Sequence, residues 1–262
     1  MTSSYGLCLW WGWARWFAHI GVLKYIQEND ICIDEVAGAS MGALVAAMYA
    51  SDISSQKMQD IFADVSYGKL FDWSIDTGLF GGKKLSRWLQ SIFGDKKIQD
   101  CRIPLQIVAC DIQTWEKIVF DKWPIVDAVR ASTAFPGLLS PLVHWDNYLM
   151  DGGIVDNLPI DLLENNKVIA VSVVDNLHRK INNDQSFWGI PIPDLTINKT
   201  QRILNNAINI MLQRIEDLTI KTSDKGLVLI RPQMHDYSMF AIDKLSEIVK
   251  IGYEEMACVW EE

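Results

Sequence analysis

The sequence predicts a three-layer α/β protein with a mainly parallel central sheet. Short apolar runs rich in β-branched residues alternate with longer segments whose apolar residues recur at helical spacing, and this alternation is typical of that architecture. Most of the short runs are continuously apolar, as expected for strands that are buried on both faces of a sheet. The predicted strands are 5–9, 34–37, 105–110, 118–120, 168–174 and 227–230. The predicted helices are 17–26, 43–50, 56–66, 83–93, 125–132, 200–222 and 241–257.

Composition limits the classes of partner. The chain has 262 residues with 49% hydrophobic residues, so it can bury a substantial core, and we expect residues 1–262 to form one domain. The net charge of −9 would repel phosphate backbones, and no basic run is interleaved with aromatic residues, so nucleic acid is not expected as a partner.

The cysteines and the absence of targeting signals predict a location. The five cysteines are an odd number without a C-x-x-C pair, which favours reduced, buried thiols over disulfides or zinc ligands. The N-terminus lacks a positively charged leader, and no run approaches the roughly 20 apolar residues of a membrane helix. We therefore expect a cytoplasmic protein, peripheral at a membrane if it acts there, with no transmembrane segment and no metal.

The strongest local motif lies between the second predicted strand and the helix that follows it. Gly38, Ser40 and Gly42 form a G-x-S-x-G pattern, which in this context is typical of a nucleophile elbow that exposes a serine hydroxyl on a strained turn. The positive end of the following helix would face an anion that forms beside Ser40. A glycine-serine turn without chemistry remains the alternative from this pentapeptide alone.

A second motif, Asp151-Gly152-Gly153, is preceded by Tyr148-Leu149-Met150 and followed by Asn157-Leu158-Pro159. With the elbow it resembles the patatin-like phospholipases, in which G-x-S-x-G and D-G-G/A supply a Ser-Asp dyad. Most of the chain shares in the resemblance, through Arg15 with FAHIGVL (17–23), PLQIVACD (104–111), DAVRAS (127–132) and FPG (135–137). The resemblance implies a patatin-like fold and hydrolysis of phospholipid or lysophospholipid esters without a cofactor. It also implies that Ser40 is the nucleophile and Asp151 its general base, with an acyl-enzyme intermediate.

A Ser-His-Asp triad is the rival arrangement. His178 or His235 would follow the acid in the order of an α/β-hydrolase. Only one strand and one helix precede Ser40, however, whereas that fold places several strands before its nucleophile. His19 and His144 are expected to be structural or surface residues.

The segment expected to form the oxyanion hole departs from the family. The family has G-G-G-x-R/K-G there, whereas the matching positions read Trp11-Gly12-Trp13-Ala14-Arg15-Trp16, directly after Trp10. Glycine permits positive φ angles and the close approach of backbone N–H groups to a substrate oxygen, and tryptophan supplies neither. Trp115 and Trp123 also stand where the family usually has glycine.

Three accounts explain these tryptophans. They could form a membrane-docking patch, or mark an acyl-binding pseudoenzyme whose oxyanion loop is blocked. The third account is that the source organism reads UGA as glycine where this translation has tryptophan. We favour the third, because one cause then explains substitutions at unrelated loops in one direction. Restored glycines would also give G-x-G-x-x-G, a dinucleotide fingerprint, but that function leaves Ser40 and Asp151 unexplained.

Two further segments bear on substrate access. The polar stretch 176–198 contains Pro191 and Pro193 and lacks periodicity, which predicts a mobile loop and a candidate lid. The apolar stripe of the helix at 200–222 is expected to pack on the sheet, with contact to lipid as the alternative.

Overall fold

Strands and helices alternate along the chain in the computed structural model, which describes residues 4–10, 13–65, 70, 72, 78, 80–173, 186–187, 190–191, 199–234, 237 and 242–261. The strands are β1 (Tyr5–Trp10), β2 (Ile33–Ala39), β3 (Leu105–Asp111), β4 (Lys117–Phe120), β5 (Leu142–His144), β6 (Asn147–Asp151), β7 (Lys167–Ser172), β8 (Ser186–Phe187), β9 (Ile190–Pro191) and β10 (Gly226–Ile230). The helices are α1 (Phe17–Glu28), α2 (Met41–Ala50), α3 (Ser55–Ala63), α4 (Lys83–Phe93), α5 (Ile125–Ser132), α6 (Lys199–Thr222) and α7 (Leu245–Glu261).

The central sheet has the strand order β10-β7-β1-β2-β3-β6-β5, with β4 paired to β3. The first five strands run parallel to one another, and β4, β5 and β6 join antiparallel. The predicted three-layer α/β fold with a mainly parallel sheet is therefore confirmed. Strands β1, β3 and β7 form the buried centre of the sheet, and most of their residues are apolar.

One edge of β3 is shared by two strands. Val108 pairs with Ala39 of β2 and with Val119 of β4, while the next residue, Ala109, pairs with Ile118 of β4 and with Asp151 of β6. A strand has two edges, and β4 occupies the same edge at both positions. Strand β6 therefore continues along the edge that β2 leaves, which brings the end of β6 beside the residue that follows β2.

Two glycines allow helices α1 and α7 to cross at close range. A Cβ atom on Gly21 would collide with the Val249 carbonyl, and one on Gly252 would collide with the Ala18 carbonyl. The backbones are thus in contact on both sides of the crossing. This contact fixes α7 against the helix that follows the first strand.

The structure corrects several details of the sequence-based expectations. Helix α3 ends at Ala63 and α7 begins at Leu245, and the hairpin of β5 and β6 was not predicted. Most of the expected loop 176–198 lies outside the described residues, but β8 and β9 within it form a short antiparallel pair. All five cysteines are free, but Cys32 and Cys258 are exposed rather than buried.

Candidate active site

Ser40 stands at a strained turn directly between β2 and α2. Its backbone has φ 56° and ψ −134°, a region that is costly for a residue with a side chain and that persists where the surrounding structure enforces it. Helix α2 begins at the next residue, so its positive end and its unpaired N–H groups lie beside the serine. This is the geometry that the G-x-S-x-G pattern predicts.

The two elbow glycines are required by close backbone contacts. A Cβ on Gly38 would lie 2.8 Å from the Gly42 carbonyl oxygen, and one on Gly42 would collide with the Leu9 carbonyl. The end of β1 therefore presses directly against the start of α2. The loop that leaves β1 consequently begins next to the elbow.

Asp151 is the hydrogen-bond partner of the serine side chain. The Ser40 hydroxyl donates to Asp151 Oδ2 at 2.6 Å, and both residues are buried. The other carboxylate oxygen, Oδ1, accepts the backbone N–H of Gly153 at 2.8 Å, which holds Oδ2 toward the serine. The structure thus brings together two residues that are 111 positions apart.

Burial tunes the basicity of Asp151. Removal from water disfavours the charged carboxylate and raises the pKa of Asp151 from 3.8 to about 7, although the hydrogen bonds from Ser40 and Gly153 oppose the shift. An acid with this pKa is partly ionised near neutral pH, so it can both accept and return a proton. A carboxylate alone can therefore act as the base for the serine.

Ser132 is a residue of the candidate site for which the sequence analysis predicted no separate role. It ends α5, is fully buried, and its Oγ accepts the backbone N–H of Ser40 at 2.8 Å. This bond satisfies a donor at the strained turn. The DAVRAS segment contained the signal, but nothing in its spacing relates Ser132 to the elbow.

The segment that begins with Asp151-Gly152-Gly153 is held by contacts at Gly152 and at Asp156. A Cβ on Gly152 would collide with the Val108 carbonyl of β3. Beyond the motif, Asp156 accepts Lys117 Nζ at 3.0 Å, and the same ammonium contacts Asp161 at 2.9 Å. Burial raises the pKa of Asp156, and the bond from Lys117 opposes that shift. These contacts hold the loop that presents Asp151.

The expected oxyanion segment is described in part. Trp11 and Gly12 lie outside the described residues, and Trp13 begins a short 3-10 turn that ends at Trp16. Arg15 is buried, and its Nη2 donates to the Tyr237 carbonyl at 3.1 Å. Trp10 is fully buried. Its indole lies close to Asp151, since a Cβ atom placed on Gly153 would be 3.2 Å from Trp10 Nε1 and 3.1 Å from Asp151 Oδ1.

Trp16 lies in helical backbone rather than at a positive φ angle. Its φ is −62°, and its side chain packs in the core against Phe17 and Phe62, with ring centroids 4.3 and 4.1 Å apart. A helical backbone accepts a bulky side chain there, so strain gives no reason for glycine at this position.

Two other tryptophans do occupy left-handed backbone. Trp115 has φ 65° and Trp145, in the turn between β5 and β6, has φ 56°. The two residues are 83% and 86% exposed, so little packing compensates for the strain, although the Trp145 ring contacts His144. Glycine is favoured at both positions, and Trp145 was not singled out from the sequence. Trp123, by contrast, is half-buried and stacks near Phe120 and His144.

The described histidines have other partners than the serine. His19 is buried, and its Nε2 lies 3.2 Å from the Trp10 carbonyl oxygen. His144 is exposed at the end of β5, and its ring contacts Trp123 and Trp145. His178 and His235 lie outside the described residues.

The part of the chain that the structure describes contains neither a group of metal-binding side chains nor a membrane-spanning helix. Among the described residues, no three His, Cys, Asp or Glu side chains are grouped so that they could hold a metal ion. No helix within the same residues is both long and apolar enough to cross a bilayer.

The sequence is similar to those of known proteins. The family model for patatin-like phospholipases matches residues 12–164, a range that contains Ser40 and Asp151. Neuropathy target esterase sws of Drosophila melanogaster is 29% identical, and lysophospholipase NTE1 of Kluyveromyces lactis is 30% identical, each over 96% of this chain. The chain spans about a fifth of the length of these relatives, since it covers 19% of each.

Solved structures share the fold. The crystal structure of VipD from Legionella pneumophila superposes with a TM-score of 0.53 over 99% of this chain and 67% of its own, at 15% identity. The type III effector protein ExoU gives 0.50 over 98% of this chain and 53% of its own, at 11% identity. These similarities concern the arrangement of helices and strands.

Proposed function

Since the chain belongs to the patatin-like phospholipase family, we propose that it cleaves ester bonds of phospholipids or lysophospholipids through a Ser40–Asp151 dyad. The observation that carries the proposal is the 2.6 Å hydrogen bond from the Ser40 hydroxyl to the buried Asp151 carboxylate. The names of the relatives support the substrate class, because they include lysophospholipases.

The reaction follows from the positions of the two side chains. Ionised Asp151 accepts the hydroxyl proton as Ser40 Oγ attacks the ester carbonyl, and the protonated acid then donates to the departing alcohol. Water, deprotonated in turn by Asp151, releases the acyl group from the serine. The positive end of α2 stabilises the negative charge on the carbonyl oxygen.

Ser132 and Gly153 position the dyad without touching the ester. The Ser132 Oγ holds the backbone of the nucleophile, and the Gly153 N–H holds the orientation of the base. Well-oriented groups lower the entropic part of the barrier. The rate therefore depends on these two hydrogen bonds as well as on the dyad.

We place the reaction in the cytoplasm at the surface of a membrane. Phospholipids are held in bilayers, so the enzyme must reach that surface. The odd cysteine count without a paired motif supports a reducing compartment.

The second candidate is a protein that binds acyl chains without cleaving them. The observation that favours it is the buried indole of Trp10 beside Gly153 and Asp151, in a segment where the family has glycine. In that case, the serine would have no N–H donors from the loop after β1 to stabilise an oxyanion.

Labelling with a fluorophosphonate probe tests the proposal. We expect the probe to modify Ser40, and we expect Ser40→Ala and Asp151→Asn to lose ester hydrolysis, with a loss in turnover on the order of 10⁶ for the serine. His144→Ala is the matched control and keeps its activity. An unlabelled Ser40 with bound fatty acid supports the acyl-binding protein, and an inactive histidine variant with an intact fold replaces the dyad by a triad.

A further inference from the structure

The outward face of helix α6 exposes four large apolar side chains among charged residues, whereas an ordinary surface helix exposes mainly polar ones. Ile203, Ile210, Met211 and Leu218 have exposed fractions between 53% and 63%. With Ala207, which is also exposed, they lie within one sector of the helix about 100° wide, which the exposed residues Arg214 and Lys221 share. We call these five residues the outer stripe.

The inner face of α6 is held to the protein by polar contacts. Asn157 Nδ2 donates to the Leu212 carbonyl at 2.6 Å. Glu216 is buried, accepts the Ser172 hydroxyl at 2.9 Å and forms an ion pair with Arg231 at 2.7 Å. Because these contacts fix the rotation of the helix about its axis, the outer stripe cannot turn inward without breaking them.

The same contacts place α6 at the edge of the sheet where the dyad lies. Ser172 ends β7 and pairs with Trp10 at the end of β1, and Ser40 follows the end of the neighbouring parallel strand β2. Asn157 lies six residues after the base Asp151. A surface that contacts the outer stripe is therefore brought to the side of the molecule that carries the dyad.

Charge identifies the kind of surface. Helix α6 carries four basic residues, Lys199, Arg202, Arg214 and Lys221, and two acidic ones, Glu216 and Asp217, in a chain whose net charge is −9. Glu216 is paired with Arg231, and Arg214, which is 78% exposed, lies 3.8 Å from Asp217. With four basic and two acidic residues, the helix keeps a net positive charge. A helix with an apolar face and basic residues binds at the surface of anionic bilayers.

We propose that the outer stripe of α6 docks on the surface of an anionic phospholipid bilayer. The docked apolar side chains enter the boundary between headgroups and acyl chains, while the basic residues contact lipid phosphates. The proposal rests on the proposed function in that the bilayer is also the source of substrate. Docking itself requires no hydrolysis, which allows the two to be tested apart.

Vesicle cosedimentation of the Ser40→Ala chain tests docking without turnover. The probes are vesicles of phosphatidylcholine alone and of phosphatidylcholine mixed with phosphatidylglycerol. We expect Ile210→Ser with Met211→Ser to weaken binding at least about 10-fold, because two apolar side chains no longer enter the bilayer. Val119→Ser with Val143→Ser, which removes two exposed valines on the strands β4 and β5, is the matched control and binds as the parent does.

The charge contribution has its own variant. Arg214→Gln should weaken binding to the mixed vesicles roughly 5-fold and leave binding to phosphatidylcholine alone unchanged, since one basic residue near an anionic surface contributes an increment of this size. Equal losses on both vesicles would overturn the anionic part of the proposal.

Two measurements separate docking from hydrolysis. With Ser40 intact, the ratio of vesicle-lipid to soluble-ester hydrolysis should fall about 10-fold in the outer-stripe variant and stay constant in the valine control. Absent hydrolysis of both substrates would refute the proposed function, while the vesicle data still decide docking. Unchanged vesicle binding by the outer-stripe variant would overturn the docking proposal, as would a dimer that this variant converts to monomer, which would assign the stripe to a second copy.

Discussion

At the scale of single residues, the proposed chemistry depends on one buried carboxylate. Asp151 has a pKa raised to about 7 by burial, and ordinary aspartates in water ionise near 4. The residue is therefore a much better base than an exposed aspartate and can also serve as an acid near neutral pH. Because of the same burial, ionisation of Asp151 lowers the stability of the folded state.

The first prediction concerns the pH dependence of the rate. Proton abstraction from Ser40 requires ionised Asp151, so kcat/KM for a soluble ester should rise with pH and level off above a midpoint of about 7. A profile measured from pH 4 to 9 checks this expectation. A midpoint near 4, as for a solvated aspartate, would contradict the burial of the base.

The second prediction concerns stability. The pKa of Asp151 is 3.8 unfolded and about 7 folded, so between these values the folded state binds more protons, and stability falls as pH rises through this window. Asp151→Asn removes the cost of ionisation. We expect the variant to gain stability over the parent on going from pH 4 to pH 8, by at most about 4 kcal/mol. Urea unfolding at both pH values measures the difference, and an equal difference at both would exclude the linkage.

The third prediction concerns the two tryptophans in left-handed backbone. Trp115→Gly and Trp145→Gly should each stabilise the protein by about 1 kcal/mol or less, because relief of the strained φ exceeds the added chain entropy. Trp123→Gly is the contrasting variant and should destabilise by at least about 2 kcal/mol, because its ring packs on Phe120. Thermal unfolding of the three variants checks this order. The codons at positions 115 and 145 provide a separate test of the glycine reading.

At the scale of elements, the crossing of α1 and α7 depends on glycine. Gly252→Ala forces a methyl group into the Ala18 carbonyl and should destabilise the protein by roughly 1–3 kcal/mol, as overpacking does elsewhere. Gly226→Ala in β10 is the matched control, because its Cβ would meet only the Asn166 carbonyl oxygen, at 3.5 Å. Denaturant unfolding compares the two, and equal effects would show that the crossing tolerates a wider separation.

The loop after β1 supplies the fifth prediction. Replacing Trp10, Trp11, Trp13 and Trp16 together by Gly should raise ester hydrolysis at least about 10²-fold, the effect of one recovered oxyanion donor. Trp10 and Trp16 are buried, so thermal unfolding must accompany the kinetics, and a loss of stability does not count against the gain in rate. A folded glycine variant that is no faster than the parent would indicate that the tryptophans of this loop are tolerated or useful for hydrolysis.

Elements differed in how well the sequence predicted them. Helices α4 and α5 match their predicted bounds, because their apolar residues are periodic and their ends carry Gly82, Gly94 or Pro124. The β5–β6 hairpin was missed, since β5 has only three residues and its turn shows Trp145 where a glycine would have marked a hairpin. Because tryptophan is unusual at a left-handed position, the sequence alone did not indicate this turn.

At the scale of the whole molecule, the sequence pattern alone predicts the elbow at Ser40 but not its contact with Asp151. Gly38, Ser40 and Gly42 form a local pattern whose geometry follows from the strand and helix beside it. The contact of Ser40 with Asp151 depends on sheet order, and hydrophobic patterns do not specify which strands become neighbours. Only the family resemblance joined these two residues in advance. Ser132 and Asn157 required the three-dimensional arrangement, because their contacts cross between distant elements.

The shared edge of β3 also has a consequence for the protein during synthesis. Ser40 is translated before Asp151, which belongs to β6, and β6 can pair with β3 only after more than a hundred further residues have been made. Until that strand pairs, a nascent chain carries Ser40 without its hydrogen bond to Asp151. Under the proposed function, the chain becomes competent for hydrolysis only when the late strand completes the sheet, so the topology delays that activity until the polypeptide has folded around it.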